Sequence, residues 1–137
     1  MDKDETIVSE VRRGNETVLL VDDETTVIEV TRDMLAGMGY HVLVAESGAE
    51  AIEIYAAQWE AIDLVILDMV MPGMGGGQLY ERLKEINPSV RAILSSGYSM
   101  NGMAKAIMDK GVRLFLQKPF RLDELSRRIR DALSDGK

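Results

Sequence analysis

The sequence predicts an α/β fold in which five strands alternate with five helices in a single doubly wound domain. Short, almost wholly apolar runs alternate with segments of helical periodicity, an order typical of βαβ folds. Because the runs are nearly continuous in apolar residues, we expect parallel strands that helices cover on both faces. The 137 residues fit one domain, and 46% hydrophobic against 28% charged residues is a globular composition.

The five apolar runs are predicted to be the strands of one sheet. They span residues 18–21, 42–45, 64–67, 92–94 and 114–116. Each is only three or four residues long in its apolar part, and turn residues or amphipathic segments follow it. Parallel strands must be joined by a crossover connection, usually a helix, and the segments between these runs are long enough to form one. A helix is therefore expected after every strand.

The first two helices are predicted from apolar spacing and from their ends. The stripe of the first helix comprises Val27, Val30, Thr31, Met34, Leu35 and Met38. Gly37 and Gly39 are expected to end this helix. The second helix begins at Ser47, which has capping-box spacing with Glu50. Its predicted buried residues are Ile52, Tyr55, Ala56 and Trp59.

The remaining three helices are predicted in the same way, and proline or glycine ends two of them. The third stops before Pro88 and the fourth at Gly111. Their apolar residues are Leu79, Leu83 and Ile86 in the third, Ala104, Ile107 and Met108 in the fourth, and Leu122, Leu125, Ile129 and Leu133 in the fifth. We expect residues 1–16 to be a linker or extension, 17–133 the domain, and 134–137 a polar tail.

Composition excludes several classes of function. Sixteen basic against 23 acidic residues give a net charge of -7, which argues against nucleic-acid contact by this domain. The absence of cysteine excludes disulfides, thiolate nucleophiles and cysteine-ligated zinc, and one histidine, His41, leaves little room for a triad. The sequence contains no long uncharged span and no signal-peptide core, so we expect a cytoplasmic protein without membrane insertion.

Polar side chains gather where four of the predicted strands end. They are Asp22 and Asp23, Asp68, Ser95 and Ser96, and Lys118. Taken singly, each is typical of a turn, a helix cap or a solvated loop. Because the carboxyl ends of parallel strands meet at one edge of the sheet, we expect these side chains to lie together there.

Three carboxylates held close together repel one another, so either their pKa values rise or a cation lies among them. An oxygen-only set of ligands favours a hard cation, and Mg²⁺ in particular. Mg²⁺ beside a carboxylate and a lysine indicates phosphoryl chemistry, in which the carboxylate attacks phosphorus and forms an aspartyl phosphate. Asp68 is the best placed to do so.

Four segments of the chain resemble the receiver domains of two-component response regulators. They read LLVDDE at 19–24, LVILDMVMPGMGG at 64–76, AILSSGYS at 92–99 and FLQKPF at 115–120. The resemblance covers almost all of residues 17–133. It implies a flavodoxin-like sheet with strand order 2-1-3-4-5.

The resemblance also implies a role for each matching residue at the acidic cluster. Asp68 corresponds to the phosphoacceptor, and Asp22 and Asp23 correspond to acids on the metal side. The backbone carbonyl of Val70 corresponds to a third metal ligand. Lys118 corresponds to the lysine that binds the phosphoryl group.

The resemblance also implies two switch residues and two residues that tune the lifetime of the phosphoryl bond. Ser96 corresponds to the switch hydroxyl because it precedes the small residue Gly97, whereas Ser95 is a strand residue. Phe115 corresponds to the switch aromatic. Val70 and Tyr98 occupy the positions that tune the lifetime of the phosphoryl bond, and neither is acidic or an amide, which predicts slow self-dephosphorylation. The Lys118–Pro119 peptide bond is cis in the family.

The function that this pattern predicts is a phosphoacceptor signalling switch, not an enzyme that turns over a diffusible substrate. A partner histidine, on a histidine kinase or a histidine phosphotransfer protein, is the implied donor. The motifs are most similar to those of receivers attached to hybrid histidine kinases. Two alternatives stay open: a phosphorylation-independent interaction module, and a Mg²⁺-dependent phosphatase, whose usual acid two residues after the nucleophile is Val70 here.

Overall fold

In a computed structural model that describes residues 11–134, the chain forms one parallel sheet between two layers of helices. The strands run in the order β2-β1-β3-β4-β5, as the family resemblance implied. Their bounds are β1 Thr17–Val21, β2 His41–Ala45, β3 Leu64–Asp68, β4 Ala92–Ser96 and β5 Leu114–Gln117. The helices are α1 Thr25–Gly37, α2 Gly48–Gln58, α3 Gly76–Ile86, α4 Gly102–Met108 and α5 Leu122–Leu133.

Every strand is longer than its apolar run by one or two residues. The additional residues are Thr17, His41, Asp68, Ser95, Ser96 and Gln117. They are polar residues at the ends of the sheet, where the backbone still forms the ladder although the side chain no longer has to be apolar. Of the predicted extension 1–16 and tail 134–137, residues 1–10 and 135–137 lie outside the described residues.

The core consists of two apolar clusters, one on each face of the sheet. Alternate strand residues such as Leu19 and Leu20 point to opposite faces. Helices α2, α3 and α4 cover the face of Leu19, and α1 and α5 cover the face of Leu20. None of the helices in the described part of the chain has the length and hydropathy that a bilayer span requires.

The predicted apolar stripe of α1 is only partly buried. The buried residues of this helix are Ile28, Thr31 and Leu35, whereas Val30 is 51% exposed. The stripe is wider than the surface that contacts the sheet, so Ile28 packs inward and Val30 lines a surface cavity instead. Including Val30 among the buried residues and omitting Ile28 was therefore wrong.

Three predicted core positions on other helices are also exposed. Ala56 lies on the solvent side of α2, whose buried face includes Ala51 and Tyr55. Trp59 lies in a 3-10 turn after α2, so its direction no longer follows the period of that helix. Leu122 is the first residue of α5 and precedes the part of that helix that reaches the core.

The predicted cap of α2 is confirmed. The Ser47 hydroxyl oxygen accepts a hydrogen bond from the Glu50 amide at 3.1 Å. The Glu50 carboxylate in turn accepts a hydrogen bond from the Glu46 amide at 2.8 Å, one residue before the cap. The first turn of α2 is therefore stabilised by the side chains at both of the predicted positions.

Candidate functional site

The sheet brings the predicted polar residues to one edge. Asp22 follows β1 directly, Asp68 is the last residue of β3, Ser96 is the last residue of β4, and Lys118 follows β5. The parallel register pairs Asp68 with Ser95, which places the ends of β3 and β4 at the same level. His41 opens β2 at the opposite end of the sheet and is exposed.

A group of three carboxylates forms the centre of this edge. Asp22, Asp23 and Asp68 each offer an oxygen within 4.8 Å of the others. Asp22 and Asp68 are buried, and Asp23 is exposed. Asp22 also has the local role that its position suggested, since its Oδ1 accepts a hydrogen bond from the Glu24 amide at 2.9 Å in the turn before α1. Asp22 therefore stabilises the turn and also belongs to the carboxylate group.

Lys118 bridges two of the three carboxylates and also contacts Glu24. Its Nζ lies 3.0 Å from Asp22 Oδ2, 3.3 Å from Asp68 Oδ1 and 3.6 Å from Glu24 Oε1. Burial lowers the pKa of Lys118, but its bond to Asp22 and the negative charge of Asp68 outweigh burial and raise that pKa above its ordinary value. The ammonium group is therefore held charged beside the carboxylates.

The backbone around Lys118 places its side chain at the site. The Lys118 amide donates a hydrogen bond to the Ser96 carbonyl at 2.7 Å, which ties the end of β5 to the end of β4. The Lys118–Pro119 peptide bond is cis, as the family resemblance implied. Glu24, which sequence reasoning did not include, reaches the same ammonium group because it is the N-cap residue of α1, two residues after Asp22.

The surroundings of Asp68 disfavour its ionised form. Burial, followed by the charge of Asp22, raises its pKa from 3.8 to about 6, although Lys118 acts in the opposite direction. A carboxylate that is poorly solvated and beside other negative charges gains from an added cation. The donor set consists only of carboxylate oxygens, which fits a hard divalent ion such as Mg²⁺.

Three of the predicted switch and tuning residues, Ser96, Val70 and Tyr98, line the same cavity as Asp68. The Ser96 side chain is buried, and its Oγ accepts a hydrogen bond from the Tyr98 amide at 3.0 Å. Ser95 is a strand residue, whose hydroxyl donates to the Leu67 carbonyl at 3.4 Å. Phe115 is half-buried against the core. Val70 and Tyr98 are 55% and 68% exposed, so solvent reaches both tuning positions.

A cavity of about 840 Å³ extends outward from the acidic group. Asp68 and Lys118 lie at its polar end, and Val70 and Tyr98 also line it. Its apolar wall comes from Val27, Val30, Met34, Pro119 and Phe120. Sequence reasoning missed this wall because it assigned the apolar stripe of α1 to the core. A signal for the wall was present in the sequence, because α1 has more apolar residues than its buried face accommodates.

Comparisons with known proteins agree with this geometry. The family model of the response regulator receiver domain matches residues 18–130. The chain is 37% identical over 120 residues to the sensor kinase CckA of Brucella abortus, covering 88% of this chain and 13% of the kinase. It is 34% identical to the sporulation initiation phosphotransferase F of Bacillus subtilis, covering 87% of this chain and 91% of that protein.

A solved structure supports the same assignment. One chain in the crystal structure of the CheX–CheY–BeF3–Mg²⁺ complex from Borrelia burgdorferi is similar to this chain, with a TM-score of 0.83 at 26% identity over 88% of this chain and 90% of that chain. Fold, strand order and motif sequence therefore agree over nearly all of the described residues. This chain belongs to the response regulator receiver domains, which are phosphoacceptor switches of two-component signalling rather than typical turnover enzymes.

Proposed function

We propose that Asp68 accepts a phosphoryl group from a histidine of a partner protein, and that the modified domain then binds another protein with altered affinity. Receiver domains interact with histidine kinases or phosphotransfer proteins, so one of these is the proposed donor. One observation carries the proposal: the Lys118 ammonium contacts both Asp22 and Asp68 at the polar end of an open cavity.

The proposed transfer needs one nucleophile and stabilisation of the charge that develops. An oxygen of Asp68 forms a bond to phosphorus while the bond between phosphorus and the donor imidazole nitrogen breaks, and its electron pair stays on that nitrogen. Negative charge spreads over the phosphoryl oxygens as this happens. The Lys118 ammonium, 3.3 Å from Asp68 Oδ1 in the free domain, is placed to hydrogen-bond one of those oxygens.

Receiver domains bind Mg²⁺ at acidic clusters, and we propose that this chain does so. Asp22, Asp23 and Asp68, with the backbone carbonyl of Val70, would hold the ion. When bound, Mg²⁺ would supply positive charge to the phosphoryl oxygens. Asp22 already has both oxygens engaged by Glu24 and Lys118, so its orientation is set before an ion arrives.

The proposed switch uses Ser96 and Phe115. In the unmodified domain the Ser96 hydroxyl oxygen accepts a hydrogen bond from the Tyr98 amide. A phosphoryl oxygen on Asp68 offers that hydroxyl a charge-assisted acceptor, which draws the loop after β4 toward Asp68. The movement leaves space that the half-buried Phe115 ring fills. One phosphoryl group on Asp68 thereby changes the packing of the surface around Ser96 and Phe115.

We also propose that the domain works within a hybrid histidine kinase. Its 37% identity to a segment that makes up 13% of a sensor kinase supports this arrangement. The phosphotransferase relative, 91% of which is covered, supports a free-standing regulator instead. The length of the complete reading frame distinguishes these two arrangements.

Mass spectrometry after incubation with a small phosphodonor and Mg²⁺ tests the acceptor. We expect the wild type to gain one phosphoryl group, the Asp68→Asn variant to gain none, and the control variant Asp109→Asn, at an exposed aspartate of the surface, to behave as the wild type. A wild type that gains no phosphoryl group would support the phosphorylation-independent module. Steady release of phosphate from unrelated esters would support the phosphatase.

Val70 and Tyr98 are predicted to make the phosphorylated domain long-lived. An apolar Val70 cannot orient an attacking water, and the bulk of the Tyr98 ring in the lining of the cavity is proposed to hinder the approach of water to Asp68. Val70→Asn and Tyr98→Glu should therefore each speed loss of phosphate on the order of tenfold, which corresponds to about 1.4 kcal/mol of barrier. The decay of the phosphorylated species over time is the measurement. Tyr98→Phe keeps the bulk and should decay as the wild type does, and unchanged or slower decay in the first two variants would contradict the prediction.

A further inference from the structure

Residues 11–16 form a segment outside the helices and strands that contacts the domain at several points, and we call it the N-terminal strap. It lies between the turn that follows α1 and the helix α5. The Gly14 amide donates to the Met38 carbonyl at 3.0 Å, and the Glu16 carbonyl accepts from the His41 amide at 3.0 Å. Val11 packs against the core cluster that α1 and α5 share.

Two side chains of α5 hold the strap. The Ser126 hydroxyl is fully buried, accepts a hydrogen bond from the Arg12 amide at 2.6 Å and donates one to the Arg12 carbonyl at 3.2 Å. Arg130 forms a bidentate ion pair with Glu16, with both distances 2.9 Å. The hydrogen bond from Arg130 is the main reason that the pKa of Glu16 lies below its ordinary value.

The fit of the strap against the turn is close. Gly39 has a φ of 101°, and a Cβ added there would clash with the Gly14 carbonyl oxygen. A Cβ on Gly14 would lie 2.5 Å from the Tyr40 ring and 2.6 Å from Arg130. The Tyr40 hydroxyl in turn accepts a hydrogen bond from Arg130 at 3.1 Å. The strap is therefore a packed part of the fold, since neither glycine has room for a larger side chain.

Helix α5 joins the strap to the acidic site. The site lysine, Lys118, is followed by Pro119, Phe120 and Arg121, and α5 begins at Leu122. Phe120 lines the site cavity and packs against the same core cluster as Val11. Only three residues thus separate Lys118 from the helix whose middle and end hold the strap through Ser126 and Arg130.

We propose that docking of the N-terminal strap and modification of the acceptor site are coupled through α5, so that a docked strap favours the unmodified state. The inference rests on the proposed function of Asp68. Its basis is that only three residues separate Lys118 from α5, which holds the strap through Ser126 and Arg130, in the same unmodified structure in which the Tyr98 amide donates to the Ser96 hydroxyl. Coupling between two sites is reciprocal, so modification of Asp68 must favour release of the strap by the same factor by which release of the strap favours modification.

Titration of the full chain with beryllium fluoride in the presence of Mg²⁺ tests the coupling. Glu16→Gln weakens the ion pair with Arg130, and Ser126→Ala removes the hydroxyl that bonds the Arg12 backbone. Each variant should bind beryllium fluoride about fivefold more tightly than the wild type, the lower end of typical couplings. The matched control is Glu85→Gln, which removes an exposed ion pair with Arg82 on α3 and should leave the affinity unchanged.

Hydrogen exchange of the strap amides gives a second measurement. If the strap only stabilised the fold, beryllium fluoride would not change their exchange. In the wild type, beryllium fluoride should speed exchange of the Arg12 and Gly14 amides, which bond to Ser126 and Met38. Equal affinities in wild type and strap variants, or unchanged exchange, would overturn the coupling alone. A wild type that binds no beryllium fluoride would overturn the proposed function as well. If circular dichroism shows one strap variant to be unfolded, the other provides the comparison.

Discussion

Replacing Lys118 with methionine is expected to slow phosphorylation of Asp68 by a small phosphodonor by about two to three orders of magnitude, the effect of removing one charge-stabilising donor. The Lys118 ammonium lies 3.0 Å from Asp22 and 3.3 Å from Asp68, with little exposure to solvent. Methionine fills much of the same volume but carries no charge. The initial rate of phosphoryl incorporation, followed by mass spectrometry, is the measurement.

The control for this prediction is Lys105→Met, which removes an exposed lysine of α4 away from the carboxylates. It should react at the wild-type rate. Lys118 lowers the pKa of Asp68, so without it a larger fraction of Asp68 is protonated at acidic pH. Phosphorylation of the Lys118 variant should therefore be slowest at acidic pH. Equal rates in the Lys118 and Lys105 variants would show that the site ammonium plays no part in the transfer.

The Asp68→Asn variant is expected to unfold with a higher free energy than the wild type at pH 8 without divalent cations. Burial and the charge of Asp22 raise the pKa of Asp68 to about 6 from 3.8, so ionising this group costs more in the folded state than in the unfolded one. The expected gain is on the order of 1–3 kcal/mol, from about 1.4 kcal/mol per pKa unit. Urea unfolding with a chelator present measures it.

The stability gain expected for Asp68→Asn depends on pH. Between pH 3.8 and about 6 the folded wild type binds more protons at Asp68 than the unfolded chain does. The contribution of Asp68 to stability therefore falls as pH rises through that window, and the full penalty is present above it. Asparagine does not titrate, so the advantage of the variant should vanish toward pH 4. An advantage of equal size at every pH would mean that ionisation of the buried carboxylate is not its cause.

The predictable part of the fold followed from patterns that are local in the chain. The runs around Leu19, Ile66 and Ile93 are almost wholly apolar because helices cover both faces of a parallel sheet. The same topology places the carboxyl ends of the strands at one edge. The proximity of Asp22 and Lys118, which are 96 residues apart in the chain, could therefore be expected from the sequence alone.

The parts that sequence reasoning missed depend on contacts between distant segments. Glu24 reaches Lys118 only because the turn before α1 and the end of β5 meet at one edge. Val30 looked like a core residue because its spacing matches the stripe of α1, yet the sheet covers only one side of that stripe. Trp59 looked like a continuation of α2, but the helix ends at Gln58 and the direction of the chain changes.

Fold class, the strand order that the family implies, and the edge at which the polar residues meet could all be read from the amino-acid sequence. They could be read because the period of apolar residues and the chemistry of strand ends are local features of the chain. How far Asp68 is buried, how Lys118 bridges Asp22 and Asp68, and how the strap of residues 11–16 is fastened to α5 became evident only in the folded protein. Burial and ion-pair distances depend on how elements pack across the whole chain, and no local pattern encodes that packing.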